Sequence, residues 1–462
     1  MSTAVSGMRQ LFGTDGIRSV AGEFPLDRKT VYAIGRALGT RLRRQFESPK
    51  VVIGQDTRES SPWIAETFAR GLVASSADFE SAGVLTTPGV AYLARKHNFA
   101  AGVVISASHN PWLDNGIKLF GSNGMKLADE IEHEIEQDIF AHLNELPDET
   151  EGASVMDRIL PGRAELRRDY VHWLERGVAA DRIRKLRVIV DCANGAASSV
   201  APALFSDLDI LAEFLHVDPD GRNINQGCGA LHPEHVAERI AAEPGKFDLG
   251  ITFDGDADRA LFSDAHGNVV NGDAVLLLAA RDMKARGLLA NDVVVATTMS
   301  NMGFEKALSN SAIRLLRSNV GDKYVLEEMQ RSGAKLGGEQ SGHILFMDGD
   351  STTGDGLLTA LRVLDIVARA GHPLHELIAD LKVFPQLTRN VRVREKVPFD
   401  QLPSVQAAIV EAERELNGNG RVLARYSGTE KLARVMVEAE SETLMKKHVE
   451  AIVAAMQSAI GV

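Results

Sequence analysis

The segment Asp254-Gly255-Asp256-Ala257-Asp258-Arg259 sets three carboxylates at alternate positions, directly after an apolar run that ends at Phe253. Oxygen ligands converging at a strand end suit a hard divalent cation, Mg²⁺ or Ca²⁺. A solvated acidic turn is the competing reading. Carboxylates crowded together without a cation repel one another, which weighs against it. A calcium EF-hand fails on spacing, because its sixth position is Arg259 rather than Gly and its twelfth is Ala265 rather than Glu. The remaining reading is a compact Mg²⁺ site that leaves coordination positions for phosphate oxygens.

A second loop, Ser106-Ala107-Ser108-His109-Asn110-Pro111, follows the apolar run 102–105 and leads to Asp114-Asn115-Gly116-Ile117-Lys118. Ligands gather outside the carboxyl ends of strands in α/β sheets, so a serine here is placed for nucleophilic work. A hydrogen-bonded turn closed by Pro111 is the alternative. A divalent ion nearby can hold a phosphoserine and offset its charge, which favours the first reading. Ser106 and Ser108, two residues apart in an extended segment, would face the same way, so spacing alone does not choose between them. In Gly337-Gly338-Glu339-Gln340-Ser341-Gly342-His343, glycines permit close backbone approach and polar side chains suit a polyol; a decorated turn remains the alternative. Arg425-Tyr426-Ser427-Gly428-Thr429 offers a guanidinium and hydroxyls to a phosphate dianion, or is a plain turn. The hydrolase GxSxG elbow, the Walker loop and GxGxxG are all missing, which removes support for those chemistries.

Positioning such loops takes a large soluble scaffold. The chain has 462 residues, enough for two to four domains, with 44% hydrophobic and 25% charged residues. Its formal charge of −12 argues against nucleic-acid binding and obliges local Arg and Lys to attract any anionic substrate. Two distant cysteines, Cys192 and Cys228, give neither a disulfide scaffold nor a zinc pattern and suit a reducing cytoplasm. Residues 1–10 lack a signal-peptide core, and no run of 18 apolar residues would span a membrane.

Val31, Ile34, Leu38 and Leu42 predict a helix over 28–46, and Leu357, Leu361, Leu364 and Val367 predict another. Strands are predicted at 50–54, 102–105, 187–191, 247–253 and 293–296. The alternation reads as α/β. In the tail, Val391 and Val393 alternate with arginines, helices are expected at 403–416 and 442–458, and strands flank 426–429: a small α+β domain. Boundaries are placed near 158, 262 and 380, giving domains 1–158, 159–262, 263–380 and 381–462, with 145–152 as a surface linker. Successive domains are candidates for distant structural repeats, although no sequence period shows it.

Taken in order, these loops resemble the α-D-phosphohexomutase superfamily over essentially the whole chain. Leu11-Phe12-Gly13-Thr14-Asp15-Gly16-Ile17-Arg18, Gly54-Gln55-Asp56-Thr57-Arg58, Met299-Ser300-Asn301 and Thr352-Thr353-Gly354-Asp355-Gly356 join the resemblance. It implies three related α/β domains with mixed sheets plus a C-terminal α+β domain around a central cleft. It implies that Ser108 carries a phosphoryl group as phosphoserine and that Asp254, Asp256 and Asp258 bind Mg²⁺ with a phosphoserine oxygen. Lys118, Arg18 and Arg259 would attend the transferring phosphate. Glu339, Gln340, Ser341 and His343 would hold the sugar, and Arg425, Ser427, Gly428 and Thr429 the phosphate that does not react. Lys431 departs from the family's usual Pro, and Tyr426 from a residue often small or basic. The 338–343 loop is similar to the glucosamine form, so glucosamine 6-phosphate and glucosamine 1-phosphate are the expected substrates, with a sugar 1,6-bisphosphate as intermediate. Glucose or mannose phosphates on the same fold, a metal-dependent phosphatase and a non-catalytic phosphosugar binder are the rivals. A homodimer is the one oligomer entertained.

Overall fold

The computed structural model describes residues 11–13, 15–145, 153–347, 349, 351–427 and 430–462. Packing divides the chain into two compact units, one running to residue 298 and resuming over 316–378, the other made of 299–315 and 379–462.

The first unit is built on a pattern used three times. Its first sheet holds β1 (Ile17–Val20), β2 (Lys50–Gln55), β3 (Asp78–Val84), β4 (Ala101–Ile105) and β5 (Asp114–Gly121), in the order β1-β5-β4-β2-β3. The second holds β6 (Arg187–Asp191), β7 (Leu211–Leu215), β8 (Leu249–Phe253), β9 (Ala260–Ser263) and β10 (Val269–Val270), in the order β10-β9-β8-β6-β7. The third holds β11 (Val293–Thr297), β12 (Arg314–Ser318), β13 (Leu336–Gly338) and β14 (Ile344–Phe346), in the order β12-β11-β13-β14. Each sheet contains a parallel pair, β2/β4, β6/β8 or β11/β13, whose later strand turns back into an antiparallel partner, β5, β9 or β14. The three connections β4–β5, β8–β9 and β13–β14 are equivalent positions. They carry Ser108, the Asp254–Asp258 triplet and the Glu339–His343 loop respectively. The repeat that the sequence hid is therefore plain in the strand order.

The buried strands read as continuous apolar runs, as expected where helices cover a mixed sheet. Val51–Ile53, Val103–Ile105 and Val188–Val190 are essentially inaccessible. Predicted elements appear with shifted ends. The first helix is Arg28–Arg43, capped by Asp27, whose carboxylate accepts from Thr30 N at 3.0 Å. The predicted strand 247–253 begins only at Leu249, because Asp248 accepts the backbone N–H of Arg187 at 2.8 Å. Of the expected linker, residues 146–152 lie outside the described residues, and Glu145 ends a helix from Asp129. Among the described residues no helix is long and apolar enough to cross a membrane.

The second unit contains β15 (Gln386–Arg392), β16 (Gly420–Tyr426) and β17 (Leu432–Ala439), antiparallel in the order β15-β17-β16. Helices Pro403–Leu416 and Glu442–Ile460 pack on it. The latter buries Met445, Val449, Ile452, Met456 and Ile460, an i, i+4, i+7 stripe. The helix Met302–Asn310 belongs to this unit as well. Asn301 caps it through Gly303 N at 2.9 Å, and the buried Glu438 accepts from Met302 N at 2.8 Å and from Arg421 Nε at 2.6 Å.

In the first unit, helices Arg28–Arg43 and Ser61–Ala74 cross at backbone contact. A Cβ on Gly35 would lie 2.1 Å from Phe68 O, and one on Gly71 would lie 2.2 Å from Tyr32 O. Alanine gains roughly 1 kcal/mol of helix propensity over glycine. A backbone carbonyl cannot rotate out of the way, so overpacking of about 1–3 kcal/mol dominates. Gly35→Ala should therefore lower the melting temperature by several degrees, read by circular dichroism; an unchanged or higher value would show that the helices separate freely.

Candidate active site

Ser108 follows β4 with φ +53 and is fully buried. Its loop is held mainly by Arg58. That guanidinium donates from Nε to Asp56 Oδ2 at 2.8 Å, and from Nη2 to the carbonyls of Ser108 and Asn110, each at 2.9 Å. Nη1 donates to Asp114 O at 3.0 Å and to Pro111 O. Asn225 Nδ2 also donates to Ser108 O, at 2.9 Å. A buried guanidinium with all its donors engaged makes a rigid cradle for an otherwise irregular turn. Ser106 belongs to this scaffold: its hydroxyl donates to Asp56 Oδ2 at 2.7 Å and accepts from Ser108 N at 2.9 Å. Ser108 Oγ instead donates to Asp254 Oδ2 at 2.5 Å. Of the two serines, only Ser108 points at the acidic cluster.

Asp254, Asp256 and Asp258 are buried, with carboxylate oxygens within 4.8 Å of one another. Their loop lies against the serine loop, where a Cβ on Gly255 would meet Ser108 O at 2.5 Å. Thr87 Oγ1 donates to Asp256 Oδ2 at 2.5 Å. Lys118 Nζ, from β5, lies 2.7 Å from Asp256, 3.3 Å from Asp258 and 3.0 Å from Asp15. Arg18, from β1, pairs with Asp15 and donates to Ala107 O at 3.3 Å. Arg259 Nε sits 3.7 Å from Asp258 Oδ1, and its backbone N–H donates to Asp254 Oδ1 at 3.2 Å.

The electrostatics follow from burial and neighbours. Burial, with Asp258 and Asp256 alongside, pushes the Asp254 carboxyl well above the usual range. Burial also pushes Asp258 up, but Lys118, His343 and Arg259 together hold it at about 2. The ammonium of Lys118 is buried, yet Asp15, Asp256 and Asp258 keep it charged well above the ordinary lysine range. His109 stands beside Ser108, with Nδ1 3.2 Å from Oγ. Burial, then Arg259 and Arg18, lower its pKa to about 4, so its ring is neutral at neutral pH.

A cavity of about 410 Å³ opens on this centre, lined by Asp15, Arg18, His109, Asp258, Arg259, Asp322, Glu339 and His343 among others. Glu339 Oε1 accepts from Gly321 N at 3.0 Å, and His343 is buried with Nε2 3.8 Å from Asp322 Oδ2. Gln340 and Ser341, expected at the sugar, do not line the cavity. Gln340 turns its amide nitrogen to Asp273 Oδ2 at 3.3 Å, and Ser341 is exposed. Asp15, Arg58, Thr87, His109, Asn225 and Asp322 are the residues that sequence reasoning did not assign to the site. Asp15 and Arg58 sit inside motifs that stood out in the sequence, whereas Asn225 and Asp322 carry no local signal.

In the second unit, Arg425 is exposed on β16 opposite Arg434. Ser427 Oγ accepts from Glu430 N at 3.2 Å, and Lys396 Nζ donates to Ser427 O at 2.6 Å. Tyr426 stacks on Phe399 with ring centres 4.5 Å apart, and its hydroxyl donates to Val397 O at 2.5 Å. Gly428 and Thr429 lie outside the described residues.

A second cluster, Asp191, His216 and Cys228, also brings ligand atoms within 4.8 Å. Asp191 already accepts from Ala193 N at 2.8 Å and Gly229 N at 3.0 Å and faces His216 Nδ1 at 3.1 Å. Burial pushes the Cys228 thiol up to about 12, so it stays protonated beside the Asp191–His216 contact.

The chain matches the four domains of one family in order: phosphoglucomutase/phosphomannomutase α/β/α domain I over 9–145, domain II over 168–267, domain III over 271–384 and the C-terminal domain over 389–455. It is 64% identical over 455 residues to a phosphoglucosamine mutase of Koribacter versatilis, covering 98% of each chain. Its fold is shared by a phosphoglucomutase/phosphomannomutase family protein of Burkholderia thailandensis, with TM-score 0.76, 24% identity and coverage of 97% and 99%. The N-acetylphosphoglucosamine mutase of Aspergillus fumigatus, solved with GlcNAc-6P and magnesium, aligns with TM-score 0.65 and 21% identity over 98% and 96%. Four domains in register and 64% identity over nearly the full length place the chain in the phosphoglucomutase/phosphomannomutase family, among its phosphoglucosamine mutases.

Proposed function

We propose that the chain interconverts glucosamine 6-phosphate and glucosamine 1-phosphate through phosphorylated Ser108. The observation that carries this reading is the Ser108 hydroxyl held 2.5 Å from Asp254, in an acidic cluster that Lys118 pairs with and that borders the cavity lined by Arg18, His109, Asp258 and Arg259.

Mg²⁺ fits the acidic cluster. Asp256 Oδ1 and Asp258 Oδ1 are buried with no hydrogen-bond partner, the condition of carboxylate oxygens reserved for a cation. Asp254, Asp256 and Asp258 would hold it, and when bound it would offset phosphate charge. The protein's own groups do the remaining work. The bond between Ser108 Oγ and phosphorus breaks as one forms to the sugar O1 or O6, and the proton leaving the sugar hydroxyl ends on the departing Ser108 Oγ. After the bisphosphate turns over, its other phosphate returns to Ser108. Lys118, Arg18 and Arg259 stabilise charge on the transferring group, which is mostly positioning and electrostatics. Neutral His109 offers an acceptor beside Oγ. Glu339 and His343 face the sugar, and Arg425, Ser427, Gly428 and Thr429 take the distal phosphate.

The choice of amino sugar rests on the phosphoglucosamine mutase relatives and on acceptors in the cavity. Gln340 engages Asp273 through its amide nitrogen, and within the cavity Glu339 and Asp322 are the carboxylates suited to a C2 ammonium. Buried thiols at Cys192 and Cys228 fit a reducing compartment such as the cytoplasm.

Ser108→Ala should abolish turnover while Ser106 stays unmodified, and peptide mass spectrometry of the parent should find phosphate on Ser108; full activity in the variant would sink the mechanism. Asp256→Asn should weaken Mg²⁺ binding by at least tenfold in calorimetry and leave the fold intact, since it removes one of three carboxylates. Metal affinity equal to the parent's would overturn the assignment. Side-by-side assays should rank glucosamine 6-phosphate above glucose 6-phosphate and mannose 6-phosphate in kcat/KM. Equal values would favour the phosphoglucomutase/phosphomannomutase activity, and release of free phosphate a phosphatase.

A further inference from the structure

Lys126 plays no part in the transfer just described, yet its surroundings are unusual. It lies beyond β5 in a short hairpin, bridged to Phe120, and its partly buried ammonium pairs with two carboxylates, Asp15 and Asp322. These belong to different sheets' loops. Asp15 precedes β1 and is shared with Arg18 and Lys118, so it stands on the wall that carries the transferring phosphate. Asp322 opens the helix Asp322–Ser332 and faces His343 at 3.8 Å. Its neighbour Gly321 donates to Glu339 at 3.0 Å. Both carboxylates line the cavity.

We propose that Lys126 is a positioning residue for the mutase reaction: by joining Asp15 to Asp322 it fixes Arg18 on one wall of the cavity, together with the Lys118 that shares Asp15, against His343 and Glu339 on the other. This rests on the reading of that cavity as the mutase site. Without the ammonium, two partly buried carboxylates lose their shared counter-charge. Asp15 then turns wholly to Arg18 and Lys118, and Asp322 is free to move toward His343. The sugar and the phosphate would no longer be held at one spacing, and misplacement of about 1 Å can cost about 10²-fold in rate.

A purely structural role makes a different forecast. The same hairpin is tied to the third sheet's segment by Thr352 Oγ1, which donates to Gly124 O at 2.6 Å and touches neither carboxylate. The test therefore compares Lys126→Met, Lys126→Arg, Asp322→Asn and Thr352→Val in the full chain, each with a melting curve and with kcat and KM for glucosamine 6-phosphate. Lys126→Met should melt within a few degrees of the parent and lose at least about tenfold in kcat/KM. Lys126→Arg, which can still reach two carboxylates, should recover most of the loss. Asp322→Asn should lose activity like Lys126→Met, and Thr352→Val should not. Parent-level kcat/KM in Lys126→Met overturns the proposal, as does an equal loss in Thr352→Val. If Lys126→Met fails to fold, the near-isosteric Lys126→Gln decides: a loss of at least about tenfold in kcat/KM supports the proposal and parent-level activity overturns it. Failure of the functional reading is separate and is visible first, as a parent protein with no mutase activity.

Discussion

Burial of the Asp254, Asp256 and Asp258 carboxylates is the constraint around which the rest of the first unit is arranged. Removing an ion from water costs several kcal/mol even after relaxation, and three carboxylates together repel as well. The fold answers with cations drawn from elsewhere in the chain. Lys118 supplies a fully buried ammonium from β5, Arg259 a guanidinium from the same loop, and Ser108 a hydroxyl proton. Even so, Asp256 Oδ1 and Asp258 Oδ1 remain without a hydrogen-bond partner. An arrangement that leaves buried carboxylate oxygens unsatisfied is poor for stability and well suited to receiving a cation and a phosphate.

The repeated sheet explains how three separate loops come to one place. In each repeat a parallel strand turns back into an antiparallel neighbour, and the connection between them is the one that carries chemistry. The first such loop presents a serine, the second the carboxylates, the third Glu339 and His343. Divergent side chains on one backbone plan thus set a hydroxyl, a cluster of carboxylates and a Glu–His pair at equivalent positions. The first two loops approach so closely that Gly255 has no room for a side chain beside Ser108 O.

Rigidity at the serine comes from Arg58 rather than from secondary structure. Ser108 adopts a left-handed backbone, a conformation disfavoured for residues with a side chain. The carbonyls of Ser108, Asn110, Pro111 and Asp114 all accept from this one guanidinium, whose charge is balanced by Asp56. The same Asp56 takes the hydroxyls of Ser61 and Ser106, so the scaffold and Ser108 are separated by a single layer of hydrogen bonds.

Chain-local chemistry was legible in the sequence. The apolar runs that became β4 and β8, the acidic triplet and the serine after a strand depend on neighbours within a few residues, and so do the helix faces at Val31–Leu42 and Leu357–Val367. What depends on approach in space was not legible. Ser106 and Ser108 are indistinguishable along the chain, and only the position of Asp56 and Asp254 assigns one to scaffold and the other to the site. Gln340 sits in a recognition-like loop, but Asp273, 67 residues away, takes its amide. Asp15, Lys126 and Asp322 gain meaning only as a set, since Lys126 lies 111 residues from one partner and 196 from the other. Sequence spacing reports periodicity and local turns, whereas hydrogen bonds and ion pairs depend on ångström distances that only the packed chain creates.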